Sequence, residues 1–372
     1  MTDSPPAEGS ILLSVRVRNG VIEGVDVSNH RPIGLTEQLL VGKEPGEALV
    51  RMTRLFSVCR LAQGVAGVTA VEEALGMIAD EKHRTARAIL ASFETVFEHA
   101  HRMCLDWPVF LCAPPEIAVL KKIRAALGGM ERTLYPEGDW LRPGGGALAT
   151  NLTPIRDRLG AVRDALQEAA LLPSAAARLP EWIKEKGLAG FGRCEPPFLS
   201  FSEQDAIAGS LAKDDAASSF SRAPMVRGQA FETGPLARRK DETPIKDAIE
   251  TFGRGLYARF LAVGLDISRT LDEIESLLAA PGEGTPPQSD GTGEGVGFVD
   301  AARGLLAHRV TVEKGRVSSW RTVAPTEWNF HPKGVLALGV WGDRHGQDPG
   351  ALVRLMAQAL DPCVPCRVSV NA

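Results

Sequence analysis

Cys363-Val364-Pro365-Cys366, six residues short of the end of a 372-residue chain, is the stretch on which the reading turns. A CxxC pair brings two thiols close enough to share a metal or to form a disulfide. A thioredoxin-like redox pair needs a helix to begin at the cysteines, so that the N-terminal dipole favours the thiolate, and six residues leave no room for one. A structural zinc site needs four ligands, usually from two such pairs. The other cysteines, Cys59, Cys104, Cys112 and Cys194, are scattered. Cys59 alone, in Leu55-Phe56-Ser57-Val58-Cys59-Arg60, reads as a small core residue. Beside the terminal pair it becomes a third soft donor, because thiolates from opposite ends of a chain can meet in one buried site. Such donors select iron, nickel, copper or zinc over magnesium and calcium.

Working outward, the composition excludes several classes. With 44% hydrophobic and 24% charged residues the chain is an ordinary globular one. Its formal net charge of -4 gives no basic excess for a polyanion, so nucleic acid is not an expected partner. No apolar run approaches the length of a membrane span, and Asp3, Glu8 and two prolines replace the basic and apolar parts of a leader, so a cytoplasmic location without membrane insertion is expected. Six scattered cysteines in a chain this long argue for reduced thiols.

Ile11, Leu13, Val15 and Val17 alternate on one face, Asn19-Gly20 follows, and Val21 to Val27 resumes, which predicts a hairpin. From Leu61 the period changes: Leu61, Val65, Val68, Val71, Leu75 and Ile78 predict a helix, with Gly64 and Gly67 admitting a close backbone neighbour. Further helices are predicted from Ile89, Phe93 and Val96, from Ile117, Leu120, Ile123 and Leu127, and from Ile155, Leu159, Val162 and Leu166. The stretch 138–146 is a loop by its Gly and Pro, and 187–239 has no steady period. Apolar residues from Ile245 to Ile274 predict one long helix over 245–279, with Gly253, Gly255 and Gly264 as kink or packing points. Residues 281–297, rich in Gly, Pro and acids, are expected to be a mobile connection, and residues 1–10 a flexible N-terminus. Val310, Val312, the Lys314-Gly315 turn and Val317 to Val323 predict a second hairpin. A single α+β, mainly α domain over 1–372 is expected.

Six segments, in order, carry a resemblance that covers most of the chain. They are Leu40-Val41-Gly42-Lys43-Glu44-Pro45, Ala70-Val71-Glu72-Glu73-Ala74-Leu75-Gly76, Glu232-Thr233-Gly234-Pro235-Leu236-Ala237-Arg238, Ala302-Arg303-Gly304-Leu305-Leu306-Ala307-His308, Ala324-Pro325-Thr326-Glu327-Trp328-Asn329 with Pro332, and Asp361-Pro362-Cys363-Val364-Pro365-Cys366. Together they resemble the large subunit of nickel-iron hydrogenases. The resemblance implies that family's fold, a long-helix core with peripheral antiparallel hairpins, and the convergence of the 59 and 363–366 segments. The departures are specific. Phe56 stands where the family has its first N-terminal cysteine, Gln63 where it has a histidine, and Ser369 where its mature chain ends in histidine. The family's proton-relay glutamate motif is not recognisable between Leu13 and Gly24, and only Val370, Asn371 and Ala372 follow Ser369, so no removable extension is expected.

By resemblance, these losses remove nickel binding and proton delivery but spare an iron site. Cys59 and Cys366 are the expected iron thiolates, with Cys363 as an auxiliary or transfer ligand. Arg303 is expected to point its guanidinium at iron-bound cyanides, and Pro325 and Thr326, with the nearby backbone, to surround and hydrogen-bond them. Without the resemblance, Arg303 reads as a surface arginine before a hairpin and Thr326 as a strand-end hydroxyl capping its own backbone. This pattern of loss resembles the HupK/HoxV hydrogenase accessory proteins. It implies no catalytic residues, a transient Fe(CN)2CO unit without nickel, and three partners: a HypC-type maturation chaperone, a HypD-type iron-ligand assembly protein and the hydrogenase large-subunit precursor. The alternative is a metal-free structural or regulatory pseudo-subunit.

Two clusters lie outside that reading. Glu94, Glu98, His99 and His101 lack a facing Glu-x-x-His partner for a di-metal site, so they are expected on a solvated or interface face. Arg238-Arg239-Lys240 before Asp241-Glu242 reads as a solvated, self-paired run. Cys104, Cys112 and Cys194 are expected to be packed thiols.

Overall fold

The computed structural model describes residues 9–56, 58–171, 175–214, 219–280, 291–342 and 348–371. Most of the expected flexible N-terminus, 1–8, and of the expected mobile connection, 281–290, lies outside the described residues.

Strands β1 (Ile11–Arg18) and β2 (Val21–Asn29) form the hairpin expected around Asn19-Gly20. Both turn residues have positive φ, +51° and +75°, as a two-residue turn matched to strand twist requires. A second sheet is the antiparallel meander β3 (Glu294–Ala301), β4 (Gly304–Glu313) and β5 (Arg316–Val323), with the Lys314-Gly315 turn where the sequence places it. The last strand, β6 (Cys366–Asn371), lies parallel to β1 with Cys366 opposite Ile11. β1 thus becomes the central strand of a three-stranded sheet, and Ile11, Leu13 and Val15 are wholly buried beneath it.

β3 corrects one expectation. Residues 294–297 have linker-like composition, yet they are strand, and their glycines serve contact rather than mobility. A Cβ on Gly297 would stand 1.9 Å from the Ala66 carbonyl oxygen, and one on Gly295 2.1 Å from that of Ala70. The close backbone approach expected at the helix Arg60–Leu75 does occur, but the strand provides the glycines. Gly64 and Gly67 instead make room for the side chains of Trp140 and Met52.

The long helix also divides. Thr243–Phe252 and Leu256–Ala279 are separate helices. Gly253 has φ +74°, and a Cβ on Gly255 would lie 2.3 Å from the Ala189 carbonyl oxygen. Gly264, expected to be a packing point, meets nothing within 4 Å. The 187–239 stretch contains the helices Gln204–Ala212 and Pro235–Arg239 among irregular chain. Helices Glu81–Leu105, Ile117–Leu127 and Thr153–Leu171 stand where periodicity predicts them.

The core sits where Glu81–Leu105 and Leu256–Ala279 pack together through Ile89, Phe93, Val96, Ile267, Leu271 and Ile274. The fold is α+β, mainly α. Among the described residues no helix is long and apolar enough to cross a membrane.

One polar chain ties the meander to the helix Arg60–Leu75. His308 of β4 is fully buried. Trp320 Nε1–H donates to its Nδ1 at 3.0 Å, and the Thr322 hydroxyl lies 2.8 Å from the same nitrogen. Indole is a donor only, so the ring proton resides on Nε2, which donates to Gln63 Oε1 at 2.7 Å. Burial pulls the His308 pKa down from 6.5 to about 3.

Two predictions follow from this packing. Gly297→Ala should cost about 1–3 kcal/mol in a denaturant titration, since backbone must shift to admit the methyl. Gly264→Ala should be neutral or stabilise by roughly 0.5–1 kcal/mol, because it gains helix propensity in open space. Regarding pH, the unfolded chain takes up a proton near pH 6.5 that folded His308 refuses until about pH 3. Its stabilising contribution is therefore constant above pH 6.5 and is lost on acidification, by up to about tenfold in the folding equilibrium per pH unit. Between pH 7 and pH 5 the unfolding midpoint of His308→Gln should fall less than that of the wild type.

Candidate metallocofactor site

Cys59 is the N-cap of the helix Arg60–Leu75. The first open N–H groups of that helix, on Leu61 and Ala62, donate to the two oxygens of Glu94 at 2.7 Å each. The anion-attracting helix end is therefore occupied by a carboxylate from the neighbouring helix. Burial pushes the Glu94 carboxyl up to about 8 against these two donors. Cys59 gains little thiolate character from its position. Burial, then Cys363 and Glu94 nearby, push its thiol up to about 12, with Arg303 and Gln63 pulling the other way. The Gln63 amide donates to Cys59 Sγ at 3.5 Å. Because His308 holds the Gln63 oxygen, the relay from Trp320 fixes which end of the amide faces the sulfur.

Cys363 lies in the turn between the helix Pro349–Leu360 and β6. The turn opens at Asp361, whose φ is +48°. Two arginines hold it: Arg303 Nε donates to the Asp361 carbonyl at 3.0 Å, and Arg102 Nη2 to the Pro362 carbonyl at 2.9 Å. Arg303 Nη2 also reaches Glu98 at 3.0 Å. The Thr326 hydroxyl, buried on the helix Pro325–Asn329, donates to Cys363 Sγ at 3.2 Å. Pro325 begins that helix at a position where its missing N–H costs nothing.

Cys59 and Cys363 line one pocket of about 140 Å³, together with Arg31, Phe56, Glu327 and Val364 among others. The two ends of the chain thus converge on one pocket as expected, and of the three expected ligands Cys59 and Cys363 line it. Cys366 lines a separate cleft with Asp106, Phe110 and Arg354, and burial alone pushes its thiol up to about 12. The reason is β6: Cys366 begins the strand, and pairing with β1 carries its side chain into the apolar cluster beneath that sheet. All six cysteines are free thiols.

Arg303 and Thr326 reach the cysteine turn but are engaged differently from expectation. Arg303 is a buried clamp on the Asp361 turn rather than a surface residue, and Thr326 bonds the sulfur. The expected solvated faces are corrected as well. Glu98 and His99 are buried, His99 Nε2 lying 2.9 Å from Asp266. Arg239 is buried on Asp266 and Glu273, and only Lys240 pairs with Asp241 as expected. Cys104 is packed and Cys194 half-buried, whereas Cys112 is exposed.

Sequence reasoning missed Arg31, since a lone arginine after a strand carries no periodic or motif signal. Gln63 was visible only as a departure from the resemblance, and its link to His308, 245 positions away, is tertiary. Among the described residues no three His, Cys, Asp or Glu side chains are gathered to hold a bare metal ion.

Residues 239–336 match the family model described as nickel-dependent hydrogenase. The chain is similar to solved nickel-iron-selenium hydrogenases from Desulfovibrio vulgaris Hildenborough, with a TM-score of 0.68 and 18% identity over 93% of this chain and 94% of that one. It is likewise similar to that from Desulfomicrobium baculatum, with a TM-score of 0.69 and 17% identity over 94% and 95%. At such identities the likeness establishes the hydrogenase large-subunit fold. Closer in sequence are hydrogenase expression/formation protein HupV of Azotobacter chroococcum and HupK of Azotobacter vinelandii, each 32% identical over 97% of this chain and 98% of theirs. HoxV of Cupriavidus necator is 29% identical over 94% of both chains. With the shared fold and identity running nearly end to end, the chain belongs to the HupK/HupV/HoxV family of hydrogenase expression/formation proteins.

Proposed function

We propose that this protein is a non-catalytic scaffold of hydrogenase maturation that holds the Fe(CN)2CO unit on cysteine thiolates and passes it to the hydrogenase large-subunit precursor. The unit is cargo, received from a HypC-type chaperone and a HypD-type assembly protein. The observation that carries the reading is the pairing of Cys59 and Cys363 in one pocket. Iron that already bears three strong-field diatomic ligands needs few protein donors, and two thiolates suffice to hold it. Nickel has no place in this reading.

In this reading the iron ligands are Cys59 and Cys363, in place of the expected pair Cys59 and Cys366, because those two thiols line one pocket. Thr326 and Gln63 each donate a hydrogen bond to one sulfur and so fix its lone pairs, as partners behind a metal ligand do. Loading replaces two S–H protons by two Fe–S bonds, and the protons leave to solvent. The Cys59 thiol, pushed up by burial, resists this loss, which makes the Fe–S bond it forms easier to exchange for a proton on release. That balance suits a carrier better than a permanent metal centre.

The reading is tested on protein purified without oxygen from cells assembling hydrogenase. Infrared spectra should show cyanide and carbonyl stretching bands, with roughly one iron per chain and little nickel. Cys59→Ala and Cys363→Ala should each abolish the bands, and Cys366→Ala should keep them. No bands in the wild type, with normal maturation by the Cys59→Ala variant, would identify a metal-free pseudo-subunit instead.

A further inference from the structure

Arg303 bears on both thiols through its charge, yet it lines not the pocket of the two cysteines but another cavity, of about 20 Å³. Its Nε is bonded to the Asp361 carbonyl, and its Nη2 to Glu98 and to the Asp361 carboxylate. The arginine that does line the pocket is Arg31.

Arg31 follows β2 and is held from behind. Its backbone N–H donates to Asn29 Oδ1 at 3.0 Å, and its Nη1 donates to Glu327 Oε1. Asn29 Nδ2 donates to the same Glu327 oxygen at 3.1 Å, and the Ala324 N–H reaches the other at 3.3 Å. The Glu327 side chain is 2% exposed and that of Arg31 11%, so the clamp is nearly dry. Only Nη1 is engaged: Nε and Nη2 make no hydrogen bond among the described residues. Its positive charge, like that of Arg303, bears on both Cys363 and Cys59. A half-engaged, oriented guanidinium beside two thiols offers two free N–H donors to an anionic acceptor.

We propose that Arg31 binds the anionic diatomic ligands of the metal unit, its free N–H groups donating to a cyanide nitrogen while Glu327 holds the guanidinium in place. The assignment rests on the carrier reading above and adds a residue to it. A cyanide bound to iron through carbon keeps an outward nitrogen lone pair and much of its negative charge, whereas a carbonyl oxygen is a weak acceptor. Arg31 therefore also selects which diatomic ligands turn towards it.

The test compares wild-type protein with Arg31→Lys and Arg31→Gln, each purified without oxygen and checked for folding by thermal melting. Lysine keeps a charge opposite Glu327, which guards against an unpaired buried carboxylate, but offers no planar fork. In Arg31→Lys at least one cyanide band should move while the carbonyl band moves less. Arg31→Gln, if folded, should retain on the order of tenfold less iron unit, the loss expected for a charge-assisted hydrogen bond. Unmoved cyanide bands and unchanged iron in folded Arg31→Lys would overturn the role of Arg31 while leaving the carrier reading intact. Missing bands in the wild type would overturn the carrier reading itself, and the role with it.

Discussion

The parallel pairing of β6 with β1 is the constraint on which the site depends. It joins the last described residues to the first: the Ile11 N–H donates to the Pro365 carbonyl at 2.9 Å, and Cys366 lies opposite Ile11. Burying Ile11, Leu13 and Val15 stabilises the central strand by roughly 1.5–3 kcal/mol each. Once β6 is in register, the turn before it has little freedom. Arg102 and Arg303 fix that turn further through Pro362 and Asp361, and Cys363 is delivered to the pocket that Cys59 already lines. The same pairing directs Cys366 away. One strand register therefore decides which cysteine of the CxxC pair faces the site.

Buried ion pairs set the positions of the surrounding helices. Arg87 bonds Glu72 at 2.7 Å, Arg259 bonds Glu232 at 2.7 Å, and Asp266 collects Arg239 and His99. Arg238 first, then the His99 hydrogen bond and Arg239, hold the Asp266 carboxyl well below the usual carboxylate range despite its burial. Such pairs add little net stability against apolar replacements, but removing one partner leaves a costly buried charge. They act here as locks between separate elements, 15 to 167 positions apart. The Glu232-Thr233-Gly234-Pro235 segment is one: Glu232 grips Arg259, the Thr233 N–H meets Asn329, and Gly234, with φ +109°, lets the chain pass over the Arg303 carbonyl.

Several features of the fold were legible because they are local. Asn19-Gly20 demanded a turn with two positive φ values, and helical spacing from Leu61 onward marked a real helix. Other features were not, because composition and period report environment only indirectly. Gly295 and Gly297 looked like linker glycines when their role was to let a strand touch a helix. The apolar period ran across Gly253 and Gly255 without registering that the backbone turns there. Glu98, His99 and Arg239 looked solvated because charge normally is, and only their distant partners made burial affordable.

The amino-acid sequence by itself determined the class of the molecule: a mainly helical hydrogenase large-subunit relative with one cysteine near the start and two near the end. Motif order and residue identity suffice for that, since they do not depend on where side chains point. Only the tertiary structure decided that Cys59 and Cys363 line one pocket while Cys366 lines another cleft, that Arg303 clamps a turn, and that Arg31 lines the pocket. Those outcomes hang on strand register and on ion pairs between residues separated by hundreds of positions, and neither leaves a periodic trace along the chain.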